Sequence, residues 1–102
     1  TFDRILVDAP CSGTGTLARN PEIKWRLKND DIFDLRRKQK AILKNSLAQL
    51  SPGGLLVYST CSLEPEENTD VIKASGATII HTMQRIPGRD PGDGFFAAVL
   101  RA

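Results

Sequence analysis

The chain has 102 residues, a formal net charge of +2, 40% hydrophobic residues and 25% charged ones. That length supports one modest core, and the composition is that of a soluble globular protein, with no apolar run of the roughly 20 residues that span a bilayer. Two cysteines fifty residues apart and a single histidine make a poor zinc site, which wants four spaced ligands.

Taken in chain order, "FDRILVD" (2–8) reads as a strand. Its apolar run Ile5, Leu6, Val7 is the pattern of a parallel sheet covered on both faces. No basic leader or cleavage site precedes it, so no secretory signal is read. The cysteines are therefore expected as reduced thiols, and the protein as cytoplasmic. Opening inside a strand also suggests a piece of a longer domain. "LRRKQKAILKNSLAQL" (35–50) reads as an amphipathic helix, with Leu35, Ile42, Leu43, Leu47 and Leu50 at helical spacing. "SPGG" (51–54) stops it. "LLVYSTC" (55–61) is a second apolar strand, and Pro65 suits the first position of a helix running to Ser75, with Gly76 as its stop. "ATIIHTMQ" (77–84) is a third strand, "PGRDPGDG" (87–94) a loop, and "FFAAVLR" (95–101) a last strand.

Helices alternating with apolar strands predict an α/β fold with a mostly parallel sheet. The last two strands, joined without a helix, are expected as an antiparallel pair. Ligands of such sheets sit at the carboxyl ends of the parallel strands. "DAPC" and "STCS" both fall there, which is the first functional signal.

Three readings compete for "VDAPCSGTG" (7–15). Gly13-Thr14-Gly15-Thr16-Leu17-Ala18 fits the bare G-x-G-x-x-A pattern of a phosphate cradle. Four residues, however, separate it from the strand, and Pro21 interrupts the helix that would point amides at a pyrophosphate. The plain reading is a glycine-softened turn with Cys11 as a small buried hydrophobe. It loses ground because Cys61 holds the equivalent place on the next strand, and neighbouring strand ends lie about 5 Å apart. The third reading is a thiol site. Cys61 lies between a strand end and an expected helix N-terminus, where the dipole favours the attacking thiolate. Ser59, Thr60 and Ser62 can hold the loop, and Asp8 can act as acid, base or acceptor.

Charge adds a weaker hint. Between Arg19 and Lys44, nine basic residues stand against four acids. On charge alone a solvated helix face is the first reading and an RNA backbone the second.

The motifs "DAPCSGTG", "RNPEIKWR", "YSTCSLEPEEN" and "GDGFFAAVL", in that order and spacing, resemble the catalytic half of the Sun-type RNA cytosine-5 methyltransferases, whose type is a bacterial small-subunit rRNA enzyme. The resemblance covers nearly the whole chain. It implies S-adenosylmethionine as cofactor, RNA, and rRNA above all, as substrate, Cys61 as nucleophile and Cys11 as the helper in product release. It implies that Asp8 contacts cofactor and target cytosine, with Pro10 beside it on the cofactor wall. Lys24 and Arg26 are expected on the RNA backbone or target nucleotide, with plain surface charge an equal reading. Trp25 is first read as packed in the core or at an interface, second as a base stacker. Phe95 and Phe96 serve the core or lie beneath the site, and His81 is structural.

Two thiols make chemical sense here. Adding one to carbon 6 makes carbon 5 of cytosine nucleophilic, and the adduct must afterwards be taken apart. The base has to be unstacked to be reached. The glycine-rich turn and ribose acid that the family uses for its cofactor are not among these residues. The sequence thus reads as a partial catalytic domain, 1–102, without activity of its own and self-associating through a strand edge at 2–8. A non-catalytic RNA-binding module and a thiol redox protein stay open as other classes; the latter lacks C-x-x-C spacing.

Overall fold

The computed structural model describes residues 1–101. Strands β1 (Phe2–Asp8), β2 (Leu50–Thr60), β3 (Thr78–Arg85) and β4 (Phe95–Arg101) form one sheet in the order β1-β2-β4-β3. β1 and β2 are parallel, and β4 runs antiparallel to both β2 and β3. Three strands thus share one direction, as the alternation of helices and strands predicts. The final strand inserts between β2 and β3 rather than adding at the edge.

Helix α1 (Ile23–Arg26) is one short turn, and α2 (Asn29–Ala48) is the long crossover between β1 and β2. α2 starts six residues before the predicted Leu35. Asp30 and Asp31 sit in its first turn, where the dipole favours acids, and Asp31 accepts the Lys28 N–H at 2.9 Å. The predicted start rested on the leucine spacing alone. β2 likewise begins at Leu50 rather than Leu55, and the irregular stretch between Leu50 and Leu55 is absorbed as a bulge opposite Asp3.

The helix expected over 65–75 is in two pieces: a 3-10 turn at Pro65–Glu67, then α3 (Thr69–Ser75). Asn68 breaks it. Its side chain accepts from the Thr60 hydroxyl at 2.6 Å and donates to the Ser62 carbonyl at 2.9 Å, which holds its backbone out of helical geometry (φ −114°, ψ −97°). Gly76, at φ 74°, ends α3 in the left-handed conformation that glycine adopts without strain.

Leu43 of α2 and Val71 and Ile72 of α3 pack on Val7, Leu56, Tyr58, Phe96, Ala98 and Leu100 of the sheet. Burying each large side chain contributes about 1.5–3 kcal/mol. Only this face is covered among the described residues. Leu6 is 71% exposed, β1 is an edge strand, and every residue of β3 is exposed, His81 included. The apolar run of β1 is therefore not buried on both sides here, contrary to its periodicity. Trp25 is 84% exposed, so it is not part of the core formed by these residues.

Candidate active site

β1 and β2 end side by side, Asp8 opposite Ser59. The Ser59 hydroxyl donates to Asp8 Oδ1 at 3.0 Å, and the Ala9 N–H donates to the Ser59 carbonyl at 2.9 Å. Asp8 is exposed, and its Oδ2 accepts no hydrogen bond among the described residues. Just past these ends, the Cys11 and Cys61 sulfurs lie 3.4 Å apart. The expectation that both thiols face one place is met.

The two thiols are not equivalent. Both are half-buried and free, yet burial, followed by the hydrogen bond with Cys61, pushes Cys11 up from 9.0 to about 12. Cys11 is therefore held firmly in its protonated form at neutral pH. Cys61 lies four residues before the 3-10 turn and eight before α3. The helix N-terminus that the sequence suggested at its side is thus displaced along the chain.

Three loops are laced together by backbone bonds at this end. Gly15 N–H donates to the Cys61 carbonyl at 2.8 Å, and Gly94 N–H donates to the Gly15 carbonyl at 2.7 Å. A Cβ on Gly15 would fall 2.5 Å from the Gly94 oxygen and 2.6 Å from the Cys61 oxygen. Within "SGTG", Gly15 therefore serves close backbone approach, while Gly13, at φ 75°, supplies a left-handed turn. Arg19 also reaches Asp93 at 2.6 Å across the same loops.

Behind the thiols lies a buried polar cluster of Gln39, Ser62, Glu67 and Asn68, joined by half-buried Ser12. Sequence reasoning did not single out Gln39, Glu67 or Asn68. A signal existed for Gln39, which falls four residues from Leu35 and from Leu43, on the apolar stripe of its helix. None separated Glu67 from Glu66. Tyr58 is fully buried and its hydroxyl donates to the Glu67 carbonyl at 2.7 Å; burial and the Glu67 charge raise its pKa.

The remaining expected residues sit outside the cluster. Pro10 is exposed, and its carbonyl accepts from Gln39 at 2.7 Å. Lys24 and Arg26 are exposed on α1, with the Lys24 ammonium 5.8 Å from the Trp25 ring centre. Neither bonds to the cysteines. Ile23 of the same turn is buried and lies against Gly13 of the Cys11 loop, so α1 is anchored beside that loop. Phe96 is a core residue opposite Thr60. Among the described residues no cluster of three acids, cysteines or histidine could hold a metal, and no helix is long and apolar enough to cross a membrane.

With that geometry in place, comparison with known proteins is specific. The family model described as 16S rRNA methyltransferase RsmB/F matches residues 1–78. A ribosomal RNA small subunit methyltransferase B of Enterobacter sp. (strain 638) is 49% identical over 97% of this chain, and its counterpart in Salmonella agona is 48% identical. The chain spans about a quarter of the length of these relatives (26%). Among solved structures, the protein PH0851 superposes with a TM-score of 0.94 at 33% identity, over 98% of this chain and 26% of that one. NSun6 from Pyrococcus horikoshii with SFG gives 0.83 at 29% identity, over 94% of this chain and 29% of that one.

Proposed function

The chain belongs to the 16S rRNA methyltransferase RsmB/F family, and we propose on that premise that its paired thiols serve methyl transfer to carbon 5 of a cytosine in ribosomal RNA, in the cytoplasm. The observation that carries this reading is the 3.4 Å contact between Cys11 and Cys61, at the carboxyl ends of adjacent parallel strands and beside an exposed carboxylate.

The Cys61 thiol proton passes through the Asp8 carboxylate to ring nitrogen 3 as the sulfur adds to carbon 6 of the base. The sulfur–carbon bond forms, and the carbon 5–carbon 6 π pair becomes available at carbon 5. Asp8, with its open oxygen, shares a proton with ring nitrogen 3 and so stabilises the adduct. S-adenosylmethionine, when bound, supplies an electrophilic methyl group. The residues present fit one wall of its site: Asp8 offers a free acceptor oxygen and negative charge to a sulfonium ligand, whereas Pro10, without an N–H and with its carbonyl already engaged by Gln39, offers ring surface. Once carbon 5 is methylated, its proton passes to water and that C–H pair restores the ring double bond. The sulfur–carbon 6 bond then breaks with its pair returning to Cys61, which takes back the proton from ring nitrogen 3 by way of Asp8. Cys11, held protonated by burial, donates towards the departing Cys61 sulfur and eases that step. Lys24 and Arg26, exposed beside the Cys11 loop, hold the RNA backbone.

These 102 residues taken alone form a partial catalytic domain and transfer no methyl group, because they supply a single wall of the cofactor site. They self-associate through β1 and its uncovered apolar face.

The test uses a full-length enzyme carrying this segment. Cys61→Ser lowers methyl transfer by about 10⁴-fold or more and abolishes covalent capture of RNA. Cys11→Ala lets the adduct form and accumulate. Adduct lost in Cys11→Ala and retained in Cys61→Ser reverses the two roles, and wild-type turnover in both variants removes the thiol chemistry altogether.

A further inference from the structure

The residues that follow the two cysteines, Ser12 and Ser62, converge on one carboxylate. Glu67 is fully buried. Its Oε1 accepts the Ser12 backbone N–H at 2.7 Å and the Gln39 amide at 3.2 Å. Its Oε2 accepts the Ser12 hydroxyl at 2.6 Å and also the Ser62 hydroxyl. A carboxylate offers about four lone-pair sites, and four donors fill them. Glu67 therefore has no capacity left for a ligand and is not a group that touches substrate.

Its partners come from three separate parts of the fold: the loop after β1, the loop after β2, and α2. The Gln39 amide also donates to the Pro10 carbonyl, one residue before Cys11. Glu67 is itself fixed from behind, because its carbonyl accepts from Tyr58 and its neighbour Asn68 is tied to Thr60 and Ser62. Single tethers would fix one loop each. This carboxylate ties both loops to the same point.

We propose that Glu67 is a positioning residue that sets the spacing of the Cys11 and Cys61 thiols by clamping Ser12 and Ser62. Why that spacing matters rests on the proposed thiol chemistry; the clamp itself does not. A buried polar cluster could instead serve stability alone, by satisfying donors that would otherwise be stranded. The two roles separate when thiol geometry and fold are read independently.

The readout is oxidation by diamide of this thiol pair in a full-length enzyme carrying the segment, which takes two electrons and two protons from the pair as the disulfide forms. It requires sulfurs able to close from 3.4 Å to bonding distance, and neither RNA nor cofactor. Amide hydrogen exchange of β2 and β4 reports the fold in the same samples. Glu67→Ala slows intramolecular disulfide formation by about tenfold or more while strand protection persists, since small misplacements weigh heavily on such reactions. Glu67→Gln restores the rate to within about threefold, because the serine hydroxyls can turn to accept from the new amide. A folded Glu67→Ala chain that oxidises at the wild-type rate overturns the proposal. Should Glu67→Ala lose strand protection, Ser12→Ala decides: slower oxidation with intact strands supports the clamp, and a wild-type rate overturns it. Failure of Cys61 to capture RNA in the full-length enzyme would refute the proposed chemistry and leave this result standing.

Discussion

Ser62 and Glu67 are wholly shielded from solvent, while Leu6, a few residues before the same site, is 71% exposed. At the loop end of the sheet, polar groups are buried and nearly all matched; Gln39 Oε1 is an exception without a partner. On the uncovered face, Leu6, Leu55, Val57 and Val99 line an open apolar depression of about 560 Å³. Burying unmatched polar groups costs about 1–3 kcal/mol each, so a cluster this dense persists only if its geometry is tightly over-determined. Exposed apolar surface carries no such geometric demand and simply favours being covered. The loop end thus has its buried polar groups nearly all matched within these residues, and the open face has its apolar groups uncovered.

The comparison breaks first if the loop end is loose. A thiol at about 12 holds a thiolate fraction near 10⁻⁴ at pH 8, against roughly 10⁻¹ for the ordinary 9.0. Cys11 should therefore alkylate with iodoacetamide about 10³-fold more slowly than a free cysteine. Labelling within tenfold of the free rate would mean that the pocket is wetter than described. The same shift sets a pH dependence. Between pH 9 and 12 the unfolded chain has released the Cys11 proton while the folded chain retains it, so stability is full below pH 9 and falls as pH rises through that window. Urea midpoints at pH 8 and pH 10.5 test it, and Cys11→Ala should reduce the difference, the remainder coming from Tyr58, whose pKa is also raised by burial.

A smaller effect tests the lacing of the loops. Gly15→Ala places a methyl group against two backbone oxygens that cannot turn away, and should cost about 3 kcal/mol by urea denaturation. Tyr58→Phe removes the donor to the Glu67 carbonyl and should cost about 1–2 kcal/mol. A Tyr58→Phe protein as stable as wild type would show that the cluster can relax.

Legibility in the sequence followed the same division. Apolar character located all four strands and the long helix; in β2, β4 and the helix, burial against one face leaves a repeat that a linear reading detects, whereas β3 is exposed along its length. The two cysteines were legible because each follows a strand end. Their roles came from the resemblance and not from spacing. The clamp was hidden because its parts come from Ser12, Gln39, Ser62 and Glu67, and convergence across 55 residues leaves no local pattern. Element boundaries slipped where side chains override propensity, at Asn68, which breaks a helix, and at Asp31, which starts one. Leu6 misled because apolar character alone does not say whether a covering layer lies within the same residues.

The smallest expected change in folding stability falls on the open face, where the comparison is sharpest. Ile5 and Leu6 are adjacent in β1 and point to opposite sides. Ile5 is partly buried against the core and also borders the depression, whereas Leu6 lies in the depression with most of its surface exposed. A lysine at half-buried Ile5 would set a charge against the core and destabilise the sheet, confounding any measurement of association. A lysine at Leu6 leaves the core untouched, so Leu6→Lys should change unfolding free energy by less than about 0.5 kcal/mol. The same substitution puts a charge on both the open face and the unpaired edge, the standard means by which strands resist pairing. Light scattering across a dilution series should show the wild-type chain associating at roughly 50 µM and Leu6→Lys shifted towards monomer, since only the associated state is stabilised by concentration. A wild-type chain that stays monomeric there removes the proposed self-association. A Leu6→Lys chain that associates unchanged moves the contact away from β1, to the exposed surface of β3.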